Sequence, residues 1–79
     1  MEIKVLGMGC SRCNQLEQNV FNALAEMDLA ADVEKVEDVK KIMEYKVMAM
    51  PGLVINGKVK SAGRELKPEE IKRLIREEI

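Results

Sequence analysis

Residues 50–59, Met50-Pro51-Gly52-Leu53-Val54-Ile55-Asn56-Gly57-Lys58-Val59, are the stretch on which the fold turns. Met-Pro-Gly interrupts whatever helix precedes it, because proline lacks the N–H a helix interior needs. Leu53-Val54-Ile55 is wholly apolar, as a strand covered on both faces should be. Asn56-Gly57 is a two-residue hairpin signal, since both residues tolerate positive φ. Lys58 to Ala62 then reads as the returning strand, more polar and therefore at an edge. Gly63 ends it, and Pro68 opens a helix at its favoured first position, with Glu69 and Glu70 complementing the dipole. Ile71, Leu74, Ile75 and Ile79 form the apolar stripe of that helix.

Working back towards the N-terminus, Met1 to Leu6 reads as a short strand in which Ile3 and Val5 alternate with Glu2 and Lys4. Gly7-Met8-Gly9 breaks it. From Ser11 to about Met27, Cys13, Leu16, Val20, Leu24 and Met27 recur at spacings of three or four, with Glu17, Gln18 and Asn22 on the wet side. Ala30 to Val36 is a strand centred on Val33. Glu37 to about Lys46 is helical, with Val39, Ile42 and Met43 on one face. The predicted order is βαβαββα, an α/β domain with no linker or repeat.

The length of 79 residues accommodates one domain, 1–79, with a thin core. With Phe21 and Tyr45 the only aromatics, that core must come from Val, Ile, Leu, Met and Ala. Thirteen basic residues face 14 acidic ones, so the chain lacks the basic excess that nucleic-acid binding needs. No apolar run approaches the ~18 residues of a membrane span, and no signal peptide precedes Met1-Glu2-Ile3. The expected address is therefore the cytoplasm, where a pair of cysteines is seldom a structural staple.

The sharpest motif is Cys10-Ser11-Arg12-Cys13, following a strand and opening a helix. Cys10 sits where unpaired helix N–H groups point, which favours a thiolate and lowers its pKa. Arg12 adds a positive charge in the same direction. Cys13, one turn further on the apolar stripe, should be buried and less acidic. This asymmetry makes Cys10 the attacking thiol and Cys13 the resolving one in disulfide exchange. Two plainer readings stand beside it: two core cysteines at this spacing by coincidence, or half of a zinc site completed by a second copy, since the chain has no histidine and no third cysteine.

Taken with Met50–Val59 and with Gly63 ahead of the Pro68 helix, this motif resembles the thioredoxin superfamily over nearly the whole chain. Within it the chain is most similar to small glutaredoxin-sized thioredoxins, sometimes called redox-active disulfide proteins. The resemblance implies a four-stranded mixed sheet of order 2-1-3-4 flanked by three helices, with an active site formed by the 7–13 and 50–52 loops. It implies that Pro51 is cis and packed against the two cysteines, and that the Met50 backbone pairs with an extended substrate segment. Cys10 and Cys13 are then catalytic, and Gly9, Arg12, Met50 and Pro51 are the substrate-binding candidates. A monomer with no bound cofactor or metal is expected, reducing protein or small-molecule disulfides and recharged by a reductase or a low-molecular-weight thiol. The chain departs from the family pattern in having no Trp before the motif. Lys4 stands on the first strand, with no acid to lie beneath the motif, and a single glycine, Gly63, replaces the glycine pair with which glutaredoxins hold glutathione.

A reading from another class starts from Met8-Gly9-Cys10-Ser11-Arg12-Cys13, which is also similar to the Met-x-Cys-x-x-Cys loop of heavy-metal-binding domains. Those carry soft ions such as Cu(I) on two thiolates, with Met8 available as a thioether. Their order is βαββαβ, ending on a strand, whereas this chain predicts a terminal helix. Met43, Met48 and Met50 read as packing residues, and the charges from Glu65 to Glu78 as a solvated face.

Overall fold

The computed structural model describes residues 1–7, 11–47 and 49–79. Met8, Gly9, Cys10 and Met48 lie outside the described residues, so the expectations attached to them are not addressed by the geometry below.

Period-2 alternation produces β1 (Glu2–Leu6), in which Ile3 and Val5 are fully buried on one face. After the motif, the three-to-four spacing of apolar residues gives α1 (Ser11–Met27), burying Cys13, Leu16, Val20, Ala23 and Leu24. The chain returns through β2 (Asp32–Val36), crosses α2 (Val39–Glu44), and forms the hairpin β3 (Gly52–Ile55) and β4 (Lys58–Ala62) before α3 (Pro68–Arg76). The order βαβαββα is therefore observed, and the sheet runs β2-β1-β3-β4. β1 pairs parallel with β2 and antiparallel with β3, and β3 pairs antiparallel with β4. Asn56 and Gly57 turn the hairpin with φ of 50° and 81°. Asn56 also accepts the Glu2 N–H on its side-chain oxygen and donates its own N–H to the Glu2 carbonyl, which fixes the turn to β1.

The sheet separates two cores. On one face Ile3, Val5, Leu53 and Ile55 pack with Leu16, Val20, Ala23 and Leu24 of α1 and with Leu66, Ile71 and Ile75 from the α3 side. On the other, Leu6, Val36 and Val54 pack with Ile42 and Val47, with Tyr45 and Met50 against them. Every residue of β3 is buried, as a strand sandwiched between both cores must be.

Two apolar stripes are narrower than their spacing predicts. α2 begins after Asp38, whose carboxylate accepts the Lys40 N–H at 2.9 Å, and stops at Glu44. A helix this short lays only Ile42 on the sheet, leaving Val39 and Met43 exposed at 42% and 67%, so Met43 is not the packing residue its spacing suggested. Likewise α3 ends at Arg76, one turn short of Ile79, which is 76% exposed instead of completing the stripe.

Candidate active site

Cys13 stands in the first turn of α1 with no exposed surface, and it is disulfide-bonded. Its burial follows from the same stripe that buries Leu16 and Val20, because i and i+3 share a helix face. The space around its sulfur is provided by Gly7, immediately after β1. A Cβ on Gly7 would lie 2.7 Å from the Cys13 Cβ and closer still to its Sγ. The glycine before the motif is thus more than a strand breaker: its missing side chain is where the second cysteine fits. Gly7 also donates its N–H to the Val36 carbonyl at 3.0 Å, which keeps it in line with the sheet.

The 50–52 segment arrives from the other direction. The Met50–Pro51 peptide bond is cis, Pro51 is buried, and Gly52 pairs with Leu6 at the end of β1. The Met50 side chain packs against the α2-side core, so its backbone is what this residue has left to offer a partner.

Gly63, one residue beyond β4, connects these two segments. Its N–H donates to the Pro51 carbonyl at 2.8 Å, and its own carbonyl accepts from Arg12 Nη2 at 2.9 Å. Its φ of 77° lies in the left-handed region, and an added Cβ would meet the Ala49 Cβ at 2.8 Å. The structure thus brings together Arg12, Pro51 and Gly63, residues far apart in sequence. Arg12 is exposed and hydrogen-bonded to Gly63, a partner that the sequence reading, which treated it as a charge near Cys10 and a substrate-binding candidate, did not assign.

Electrostatically, the first turn of α1 carries no acidic residue, so its positive dipole end is uncompensated from within the helix. Lys35 of β2 donates to the Asn14 side chain and lies 3.9 Å from Glu37, adding a second cation beside the motif helix. Nothing in the local sequence marks Lys35, since only the parallel pairing of β1 and β2 carries it there. Among the described residues no polar or charged residue is buried as a whole. Lys4 lies on the α2 face of the sheet, where it donates to the Tyr45 hydroxyl at 3.2 Å and lies 3.9 Å from Glu34. The bond to Tyr45 holds its pKa above the usual lysine value. Among the described residues no group of three or more His, Cys, Asp or Glu could hold a metal ion. The terminal element is α3, not the strand that a βαββαβ heavy-metal domain requires, so the soft-metal reading has no support from the fold.

A family model described as a thioredoxin domain matches residues 1–76. A protein named thioredoxin from Methanothermobacter thermautotrophicus is 37% identical over 75 residues, covering 95% of this chain and 97% of its own. Another thioredoxin, from Methanocaldococcus jannaschii, is 37% identical over 70 residues, covering 89% of this chain and 80% of its own. A further thioredoxin from the same organism is 38% identical over 61 residues, with 73% and 72% covered.

Proposed function

This chain belongs to the thioredoxin family, and from that premise we propose that it reduces disulfides through a relay between Cys10 and Cys13. The observation that carries the reading is Cys13 itself, wholly buried, disulfide-bonded, and in the first turn of a helix that follows a strand. The chain has one other cysteine, Cys10, and we take it as the bonding partner.

In the reduced protein Cys10 is the attacking thiolate, favoured by the N-terminal end of α1. It attacks one sulfur of a substrate disulfide, forming a mixed disulfide and expelling the other sulfur as a thiolate that takes up a proton. Cys13, deprotonated in turn, attacks the Cys10 sulfur, forms the Cys10–Cys13 bond and releases the second substrate thiol. Two electrons pass from the pair to the substrate disulfide, one proton comes from Cys13 and the other from solvent, and a reductase or a low-molecular-weight thiol returns the electrons. Gly9, Arg12, Met50 and Pro51 are the residues against which the substrate lies, with the Met50 backbone pairing with an extended substrate segment. Disulfide-containing proteins or small disulfides are the substrates, and the protein works as a cytoplasmic monomer without a bound cofactor.

The test is a redox titration of purified, metal-free protein in graded thiol–disulfide buffers, trapped by alkylation and read by mass. A reversible two-electron step that disappears in Cys10→Ser is the expected result. Cys10→Ser should abolish turnover, whereas Cys13→Ser should accumulate the mixed disulfide with substrate. Absence of any intramolecular disulfide across the buffer range would overturn the reading. Steady-state reduction left intact in Cys13→Ser would remove Cys13 from the resolving role.

A further inference from the structure

Three segments meet at Gly63. Its N–H binds the carbonyl of Pro51, and its carbonyl binds the guanidinium of Arg12, at 2.8 and 2.9 Å. Gly63 therefore spends both of its backbone hydrogen-bonding groups on residues 12 and 51, one in the motif turn and one in the 50–52 loop. No other side chain fits there: the positive φ disfavours it, and Ala49 stands where a Cβ would go. Arg12 is suited to its end of this bridge because the guanidinium is permanently charged and its donors are held in a rigid plane.

We propose that Arg12 and Gly63 are positioning residues that set the gap between the motif turn and the Pro51 loop, and so govern affinity for extended protein substrates. The proposal rests on the disulfide-reductase reading above and deepens it. A protein substrate has to lie along the 50–52 backbone while its disulfide meets the motif, so it is sensitive to the separation and tilt of the two segments. A small disulfide needs only access to the attacking sulfur, and is far less sensitive to them. A purely electrostatic role for Arg12, acting on thiolate formation, would change both substrates alike.

The experiment compares insulin, turned over with dithiothreitol as the electron source, with 5,5′-dithiobis(2-nitrobenzoate), mixed in a single turnover with pre-reduced protein freed of dithiothreitol. The proteins compared are wild type, Arg12→Met, Arg12→Lys, Gly63→Ala and the Arg12→Met/Gly63→Ala double variant. Arg12→Met should raise KM for insulin roughly fivefold, the scale of one exposed charge-assisted hydrogen bond. The loss on the small disulfide should be the smaller of the two, so that the ratio of the two substrates shifts against insulin. Arg12→Lys, retaining a charged donor, should restore part of the insulin KM. Gly63→Ala should reproduce the Arg12→Met defect, and the double variant should be no worse than the more severe single one, because both act on one bridge. If Gly63→Ala does not fold, the ratio of the two substrates in Arg12→Met still decides the matter. An equal loss on both substrates, or an unchanged insulin KM, would overturn the proposal. Wild type inactive on both substrates would instead overturn the disulfide-reductase reading itself.

Discussion

At Gly7 the chain has no room for even a methyl group, since Cys13 occupies the volume a Cβ would need. Overfilling a packed site of this kind costs about 1–3 kcal/mol, because the intruded neighbour must leave its rotamer or the backbone must shift. Gly7→Ala should therefore destabilise the oxidised protein on that scale, read as a lower urea midpoint with an unchanged m-value. An unchanged midpoint would mean that the sulfur has somewhere else to go. The burial of Cys13 was legible in advance, because it shares a helical stripe with Leu16 and Val20. The role of Gly7 was not, since periodicity states which way a residue faces and not which residue of another element it meets. The same holds for the Arg12–Gly63 bond, which joins residues 51 positions apart through a carbonyl that has no side-chain signature.

Among the elements, the end of α1 shows how the chain tolerates a residue that fits its position imperfectly. Asp28 adopts φ of 52° just past Met27, while Leu29 donates its N–H back to the Leu24 carbonyl at 3.0 Å. That is a Schellman-type termination, whose left-handed position glycine fills at least steric cost. Asp28→Gly should raise stability by about 1 kcal/mol, visible as a Tm gain of roughly 4–8 °C for a domain of this size. A lower Tm would show that the Asp28 side chain contributes something the backbone conformation does not reveal. The strands and the two long helices followed from apolar spacing, and the β3–β4 hairpin from Asn56-Gly57. α2 was the element least well read. Its N-cap, Asp38, lies inside the span from Glu37 to about Lys46 that apolar spacing made helical, and Lys46 leaves the helical region at φ of 59° without a glycine to announce it. Once shortened to Val39–Glu44, it could no longer bury the three apolar residues its spacing aligned.

For the whole molecule, the strand order followed from family resemblance, whereas the brace that ties its C-terminal end to the sheet edge did not. Lys60 of β4 reaches Glu78 at 2.6 Å and Glu77 at 3.4 Å, and Lys58 reaches Glu78 at 3.3 Å. Glu77 and Glu78 read as part of a solvated face, yet the Glu78 side chain is only 9% exposed. The hydrogen bond from Lys60 holds the Glu78 carboxyl below its ordinary 4.5, against the opposing effect of burial, with Lys58 assisting. A carboxylate with a depressed folded-state pKa stabilises the fold above its unfolded value, and that contribution is lost as pH falls through the folded one. Lys60 is raised above 10.5, chiefly by Glu78, so its share is present below that value and lost at higher pH. Glu78→Gln should therefore melt earlier than wild type at about pH 7, and the difference should shrink as pH falls below about 4.5 towards 3. A difference that stays constant across that range would mean the brace does not depend on the charge of Glu78.

The sheet order also has a consequence for how the polypeptide is made. β1 is an inner strand, yet its second neighbour, β3, is completed only at Ile55, 19 residues after β2 ends at Val36. At synthesis rates of about 5–20 residues per second, a nascent chain spends roughly 1–4 s with β1, α1 and β2 emerged and the far edge of β1 unpaired. During that interval the backbone of Ile3 to Leu6 is open to any strand that can pair with it, and β3 is the element that ends the exposure.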